Sequence, residues 1–97
     1  MDIRFTWSEA KAKRNLAKHG VNFETARQVF FDPHLLVLED CEDSSGEMRY
    51  QAVGFAGAQL LLLVVFADRS TEEQETIRII SARKANDYEQ NAYSDQF

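Results

Sequence analysis

Residues 60–66 read Leu60-Leu61-Leu62-Leu63-Val64-Val65-Phe66, and this uninterrupted apolar run decides the fold. Side chains of a strand alternate between its two faces, so a strand that is apolar at every position must be covered on both. The run is far too short to span a bilayer, because a membrane helix needs about 20 apolar residues. We therefore expect a central strand, covered on both faces by this chain or by a partner.

The segments around the central run have the composition and periodicity of further strands. Short connections separate them: an acidic Ser-Ser-Gly loop, a tight Ala56-Gly57-Ala58 turn and a polar, Glu-rich loop. Connections of this length join neighbouring strands into an antiparallel meander. The predicted strands cover residues 34–39, 48–55, 60–67 and 76–81.

The first third of the chain has the pattern of a short strand and two helices. Residues 3–7 predict a strand, and Ser8 is a good N-cap for a helix over residues 9–19 that stops at Gly20. Asn22 is placed to cap a second helix, with apolar residues at helical spacing up to Phe30 and an Asp32-Pro33 stop.

A third helix is predicted over residues 82–93, capped by Ser81, with Ala85, Tyr88 and Ala92 on its packing face. The element order is then β-α-α-β-β-β-β-α. We expect one α+β domain over residues 1–97, with a twisted antiparallel sheet packed against helices.

Composition and charge narrow the function. A single cysteine, Cys41, allows no internal disulfide, and residues 1–4 lack an apolar signal core, so we expect a cytoplasmic protein with no membrane partner. The net charge of -5 argues against an indiscriminate nucleic-acid binder. Charged residues are nevertheless distributed unevenly along the chain. Residues 1–31 hold six basic and three acidic side chains, and residues 39–47 hold five acids and no base. This distribution permits a basic face on an acidic protein.

The acidic run Glu39-Asp40-Cys41-Glu42-Asp43 does not fit a calcium loop. An EF-hand loop that starts at Asp40 needs glycine at its sixth position and glutamate at its twelfth, where this chain has Ser45 and Gln51. We expect a solvated acidic loop, and no metal or other cofactor.

The run Arg78-Ile79-Ile80-Ser81-Ala82-Arg83-Lys84-Ala85 places three cationic side chains where a predicted strand passes into a helix. Guanidinium groups match phosphate oxygens geometrically, and a helix N-terminus adds unpaired amides, so the junction can form a phosphate-binding edge. The alternative is that Arg78 and Arg83 pair with some of the sixteen carboxylates.

Several segments together resemble a known family, the BrnT toxins of bacterial type II toxin-antitoxin systems. The opening of that family reads W-D-x-x-K followed by N-x-x-K-H-G-V-x-F, and it resembles residues 5–11 and 15–23 of this chain. The middle and end of the family resemble the pair Arg49-Tyr50, Gly54, the run 78–85, Glu89 and Tyr93.

The resemblance implies a small ribonuclease toxin with a RelE-like or barnase-like fold. It implies cleavage of RNA without a metal, arrest of translation, and neutralisation by a cognate ribbon-helix-helix antitoxin similar to BrnA. A heterotetramer with an antitoxin dimer is one assembly that such a pairing allows.

Metal-free RNA cleavage needs a cationic clamp for the developing phosphorane charge and groups that move protons. We assign the catalytic roles to Arg83, Arg78, Arg49 and His19, and RNA binding to Lys18, Arg69, Lys84 and Tyr50. Structural alternatives stay open for several of them. Arg69 lies next to Asp68 and can form a surface ion pair, His19 and Lys18 suit a helix C-terminus, and Tyr50 can be a core residue.

Two other functions compete with the ribonuclease. The acidic net charge and the missing acid-base pair favour a catalytically degenerate toxin-like module that binds an antitoxin and co-represses their operon. The wholly apolar run at residues 60–66 alone suggests a structural dimerisation domain.

Overall fold

The computed structural model describes residues 2–42 and 46–97, with the backbone alone at residues 40–42. The predictions for Cys41 and for the loop at residues 43–45 lie outside what is described. The elements follow the predicted order, with a 3₁₀ helix after the second helix: β1 (Arg4–Thr6), α1 (Glu9–His19), α2 (Phe23–Ala26), the 3₁₀ helix (Arg27–Phe31), β2 (Leu36–Glu42), β3 (Met48–Phe55), β4 (Leu61–Asp68), β5 (Thr76–Lys84) and α3 (Asp87–Ser94).

Five strands form one sheet in the order β1-β5-β4-β3-β2. Strands β2 to β5 form the predicted antiparallel meander. Strand β1 pairs parallel to β5, so the sheet is mixed rather than wholly antiparallel. A short hairpin can join only antiparallel strands. Strands β1 and β5 can run parallel because a long stretch of chain lies between them. The α+β class and the element order are confirmed.

Strand β4 lies third of the five and is covered on both faces, as its sequence predicts. On one face, Leu62, Val64 and Phe66 pack in a core cluster with residues of α1, α2 and the 3₁₀ helix; we call this the helix face. On the other, Leu63 packs with Tyr93 of α3. Alternation along the strand therefore fills two separate cores.

The caps of the first two helices form as predicted. The side chains of Ser8 and Asn22 accept hydrogen bonds from the amides of Lys11 and Thr25, and Gly20 ends α1 in the left-handed region at φ 73°. The second helix is shorter than predicted, because after Ala26 it tightens into the 3₁₀ helix.

Gly54 lets that 3₁₀ helix approach β3 closely. A Cβ at this position would lie 3.1 Å from Leu35 Cδ1 and 3.2 Å from both Cβ and the carbonyl oxygen of Val29. Absence of a side chain therefore sets the spacing between the sheet and the segment that covers it.

The prediction for the third helix was wrong at its start. Strand β5 continues through Lys84, because Arg83 and Lys84 pair with Leu63 and Leu62 of β4. The helix begins at Asp87, and its cap is Asn86 rather than Ser81. Arg83 and Lys84 thus lie at the end of a strand, not on a helix N-terminus.

The predicted packing face around helix α3 is right for Ala85, which is buried with Tyr93, but wrong for Tyr88. Tyr88 is 77% exposed, whereas Glu89 and Tyr93 are buried. Asn86 and Glu89 form a reciprocal capping box, which fixes the helix start and turns Glu89 inwards.

Asn15 joins α1 to the edge of β5. Strand β1 pairs only with residues 76–78, so beyond Arg78 the outer edge of β5 has no strand partner in the described part of the chain. The Asn15 side chain fills this place: its Nδ2 donates to the Ala82 carbonyl oxygen at 2.9 Å and its Oδ1 accepts from the Ala82 amide at 3.1 Å. Its Nδ2 also donates to the Val21 carbonyl oxygen. A buried amide thus replaces a missing strand.

Asp32 joins three separate elements through one carboxylate. It accepts hydrogen bonds from the amides of His34 and Phe55 and, at 2.6 Å, from the Tyr93 hydroxyl. Burial would raise the pKa of Asp32, but these hydrogen bonds outweigh it and lower the pKa. Burial and the adjacent carboxylate raise the pKa of Tyr93 to about 12.

Replacing Tyr93 with phenylalanine should lower the free energy of unfolding by about 1.5–3 kcal/mol at neutral pH, because a hydrogen bond to a charged group is lost. The folded-state pKa of Asp32 is depressed, so its stabilisation is present above the ordinary value of 3.8 and is lost as the pH falls through the folded-state pKa. The difference between the two proteins should therefore shrink in acid.

Urea unfolding at neutral and acidic pH measures both effects. Tyr88→Phe removes the same hydroxyl from the exposed side of the same helix and should leave stability unchanged. Equal losses for both variants would contradict the role given to Asp32.

Candidate active site

Three of the predicted arginines project from the same face of the sheet. On β3, Tyr50 and Ala52 pack on the helix face, so Arg49 projects from the opposite face. On β5, Ile77 and Ile79 pack on the helix face, so Arg78 also projects from the opposite one. We call this opposite surface, which carries Arg49, Arg78 and Arg83, the arginine face.

Arg83 reaches that face through a β-bulge. Phe66 pairs with Ile79 but Val65 pairs with Ser81, so β5 contains one extra residue there. Ala82 consequently packs on the helix face, and Arg83 projects from the arginine face beside Leu63. Without the bulge, alternation from Ile79 would place Arg83 on the helix face.

Arg49 and Arg78 flank a small, buried residue. Arg78 pairs with Ala67 of β4, and the pairing of Tyr50 with Phe66 places Arg49 at the other side of Ala67. Two strand spacings separate the Cα atoms of the two arginines, a distance of about 10 Å. Ala67, with its single methyl group, thus lies between two long cationic side chains, an arrangement that suits a phosphate.

The environments of Arg49 and Arg78 differ. The Nε atom of Arg49 is buried, so its guanidinium is held against the sheet. Arg78 makes no hydrogen bond or ion pair with the residues that the structure describes. Arg78 is therefore available to bind an anion without first leaving another partner.

Arg83 is bound to Glu89 by two parallel hydrogen bonds. Its Nη1 and Nη2 atoms each donate to one carboxylate oxygen at 2.8 Å. These bonds raise the pKa of Arg83 and, against the effect of burial, lower the pKa of Glu89, which also accepts from the Asn86 amide. The pair is thus ionised and holds one guanidinium in a fixed orientation.

Arg69 forms a surface ion pair, as its structural alternative predicted, but the partner is Glu47, at the other end of the hairpin of β3 and β4, and not its neighbour Asp68. Its Nε and Nη2 atoms donate to the carboxylate of Glu47 at 2.5 and 3.0 Å. The Arg69 side chain is half exposed, so solvent screens this pair more than the pair of Arg83 with Glu89.

The other four predicted residues do not project from the arginine face. Tyr50 stacks on Phe66 in the helix-face core, with ring centroids 5.5 Å apart, and Lys84 pairs with Leu62, whose side chain is on that face too. His19 and Lys18 lie in the last turn of α1. The structure therefore brings together the arginines but places the predicted proton-transfer residue, His19, on another element.

Two residues of the site, Glu89 and Asn15, fall in the segments that carry the family resemblance, but the sequence assigned neither of them a role. Glu89 controls Arg83, and the spacing Asn86-x-x-Glu89 is a capping-box signal that could have placed it. Asn15 holds the strand segment that carries Arg83, and nothing local in sequence indicates a bond between positions 67 apart.

The described chain contains neither a cluster of metal ligands nor a membrane-spanning helix. Among residues 2–42 and 46–97, no three His, Cys, Asp or Glu side chains are grouped so that they could hold a metal ion. Within the same ranges, no helix is both long and apolar enough to cross a membrane.

Comparison with known proteins identifies the family. The model of the family described as "Ribonuclease toxin, BrnT, of type II toxin-antitoxin system" matches residues 7–89. The chain belongs to the BrnT family of ribonuclease toxins. Membership in a type II family implies an antitoxin partner. A search of curated protein sequences finds no match.

A solved structure has the same fold as this BrnT-family member. It is the 1.1 Å crystal structure of the Brucella abortus ribonuclease toxin BrnT, which matches with a TM-score of 0.67 at 24% sequence identity. The match covers 88% of this chain and 99% of the Brucella protein. The fold expected from the sequence is confirmed.

Replacing Arg83 with methionine should lower the free energy of unfolding by about 1–2 kcal/mol, because the buried carboxylate of Glu89 loses two charged hydrogen bonds at a partly screened site. Adding Glu89→Gln should recover part of that loss, since glutamine can accept the Asn86 hydrogen bond without a charge. Urea unfolding of the single and double variants measures the coupling.

Arg69→Met is the matched control, because it removes a similar bidentate pair from an exposed site. Its effect should be within about 1 kcal/mol. A double variant less stable than Arg83→Met would show that the two residues do not act as a pair.

Proposed function

We propose that this BrnT-family member is a metal-independent endoribonuclease that cleaves RNA and so arrests translation. The observation that carries the proposal is the presence of Arg49, Arg78 and Arg83 on one face of the sheet. Arg49 and Arg78 flank Ala67, and Arg83 lies on the same face beside Leu63, four residues away along β4. Guanidinium groups placed in this way suit a phosphodiester backbone, which carries charge on two oxygens and gains more in the transition state.

The proposed reaction is an internal transesterification. The ribose 2′-oxygen forms a bond to phosphorus and its proton passes to water, while the bond from phosphorus to the 5′-oxygen breaks and that oxygen takes a proton from water. The products are a 2′,3′-cyclic phosphate and a free 5′-hydroxyl. Arg49 and Arg78 would hold the non-bridging oxygens, because they lie on either side of Ala67 on one face of the sheet. Their stabilisation grows as negative charge develops, which is the condition for lowering the barrier rather than only binding substrate.

Arg83 has a different part in the proposal. Its two hydrogen bonds to Glu89 keep the guanidinium oriented before RNA binds. The carboxylate also neutralises part of the positive charge of Arg83. It would position the RNA backbone next to the reacting phosphate. Proton transfer by His19 stays a prediction, since His19 is on α1 and not on the arginine face.

The charge distribution supports an anionic substrate in spite of the net charge of -5. The carboxylates of Glu47 and Glu89 on this side of the sheet are each neutralised by an arginine. Arg78, which makes no ion pair with the described part of the chain, therefore leaves a local positive potential that attracts phosphate.

The antitoxin is proposed to be a ribbon-helix-helix protein similar to BrnA, bound in the cytoplasm in a heterotetramer of two toxins and an antitoxin dimer. Co-purification of the two proteins followed by light scattering gives the stoichiometry. A mass that corresponds to one toxin and one antitoxin would contradict the heterotetramer.

Arg78→Gln should lower kcat for RNA cleavage by about 10²–10³-fold, the usual loss when one oxyanion-stabilising donor is removed. Growth arrest on expression should disappear with it. Stability should not change, because Arg78 makes no hydrogen bond or ion pair with the described part of the chain. Arg27→Gln is the matched control, since Arg27 is exposed on the 3₁₀ helix that packs on the helix face.

Cleavage of total RNA is followed with magnesium present and with EDTA, and equal rates are expected. Loss of activity in EDTA would contradict metal independence. A purified protein that cleaves no RNA in either condition but binds its antitoxin would support the competing function, a degenerate toxin that acts as antitoxin partner and operon co-repressor.

A further inference from the structure

Helix α1 carries a row of cations that the proposed catalytic site does not use. Lys11, Arg14 and Lys18 follow one another at spacings of three and four residues, so they lie on one side of the helix. All three are exposed, and none forms an ion pair with a residue in the described part of the chain. The row is about 10 Å long at the rise of an α-helix.

The docking of α1 fixes the direction in which this row projects. Asn15 bonds to the backbone of Ala82 in the plane of the sheet. Successive residues of an α-helix are about 100° apart around the helix axis. Seen along that axis, Ala12 lies ~60° to one side of Asn15, whereas Lys11 and Lys18 lie ~40° and ~60° to the other side. Ala12 packs against the helix-face core. The row therefore lies on the flank of α1 that borders the arginine face.

The row also runs along β5. Thr6 of β1 pairs with Arg78 in a parallel register, and seven residues into α1 Asn15 meets Ala82. The helix thus advances in the same direction as the strand. Lys11 comes one turn before Asn15, on the side of Arg78, and Lys18 comes about one turn after it, towards Lys84.

Helix stability does not account for the row. Positive side chains stabilise the last turn of a helix, which explains Lys18, but they are unfavourable near its N-terminus, where Lys11 lies. Four cations on a helix of an acidic protein, three of them along one flank, therefore point to a ligand of opposite charge.

We propose that Lys11, Arg14 and Lys18 bind the phosphate backbone of single-stranded RNA beside the scissile bond. The inference rests on the proposed ribonuclease function and extends it, because it gives the substrate a path from the arginine face along β5 and over the flank of α1. Recognition through charge alone makes this part of the contact independent of base sequence.

The test measures binding separately from cleavage. The probe is a single-stranded oligonucleotide with a 2′-O-methyl group at every ribose, which removes the attacking hydroxyl, and it is long enough to span the arginine face and α1. Its affinity for the purified toxin is measured by fluorescence anisotropy over a range of salt concentrations. Binding data are then valid whether or not the protein cleaves RNA.

Lys11→Gln, Arg14→Gln and Lys18→Gln should each weaken binding several-fold and lower the slope of log affinity against log salt concentration by about 0.7. The combined variant should lower the slope by about 2. With cleavable RNA, the same variants should raise KM more than they lower kcat. Lys13→Gln is the matched control: it removes the same exposed charge from the same helix, ~160° away from Asn15, and should change neither quantity.

Unchanged affinity and salt slope in the combined variant, with folding shown by thermal unfolding, would overturn the inference. Equal losses for Lys13→Gln and Lys11→Gln would also overturn it, because only net charge would then matter. Variants that bind RNA normally but lose affinity for the antitoxin would assign the row to an acidic protein segment instead. If the proposed ribonuclease function fails, Arg78→Gln and the original protein will both lack cleavage, an outcome that leaves the binding measurements interpretable.

Discussion

The bond between the Asn15 side chain and the backbone of Ala82 is the contact on which the site depends. Strand β5 is an inner strand only where β1 pairs with it, and beyond Arg78 it would expose unpaired backbone groups along one edge. Asn15 satisfies those groups with a side chain and thereby docks α1. The same contact keeps β5 extended as far as Lys84, so that Arg83 reaches its face of the sheet and the chain turns into α3 only at Asn86.

Predictions from sequence succeeded where the determining forces are local. Ser8, Gly20 and Asn22 mark helix ends through bonds to neighbours three or four residues away, and each forms the expected cap. The apolar run at residues 60–66 predicts a central strand because alternation relates sequence directly to burial. Ser81 was misread because tertiary pairing with β4 and with Asn15 overrides its capping tendency.

The site was predictable in its residue types and not in its arrangement. Arginines near one another in sequence need not share a face, and Arg83 does so only because a bulge shifts the alternation of β5. The partner of Arg83 is six residues away, across a turn whose position depends on where the strand ends. His19 and Tyr50 have side chains suited to catalysis, but helix packing and core stacking place them elsewhere.

Arg83 and Arg78 differ in how much side-chain conformational freedom they lose when a ligand binds. Arg83 is held by Glu89 and loses little conformational entropy when it binds an anion, but it must share its charge with a carboxylate. Arg78 retains its full charge and must be immobilised by the ligand itself. A site that combines both kinds of cation gains orientation from one and electrostatic attraction from the other.

The two margins of the sheet also differ. On one side, β1 is three residues long and α1 covers β5 beyond it. On the other side, β2 pairs with β3 alone among the residues that the structure describes. Association by strand addition therefore has a single long margin at which to occur. Two copies that paired through the β2 edge would form a closed dimer with no long sheet edge left exposed. This geometry therefore limits growth into fibrils.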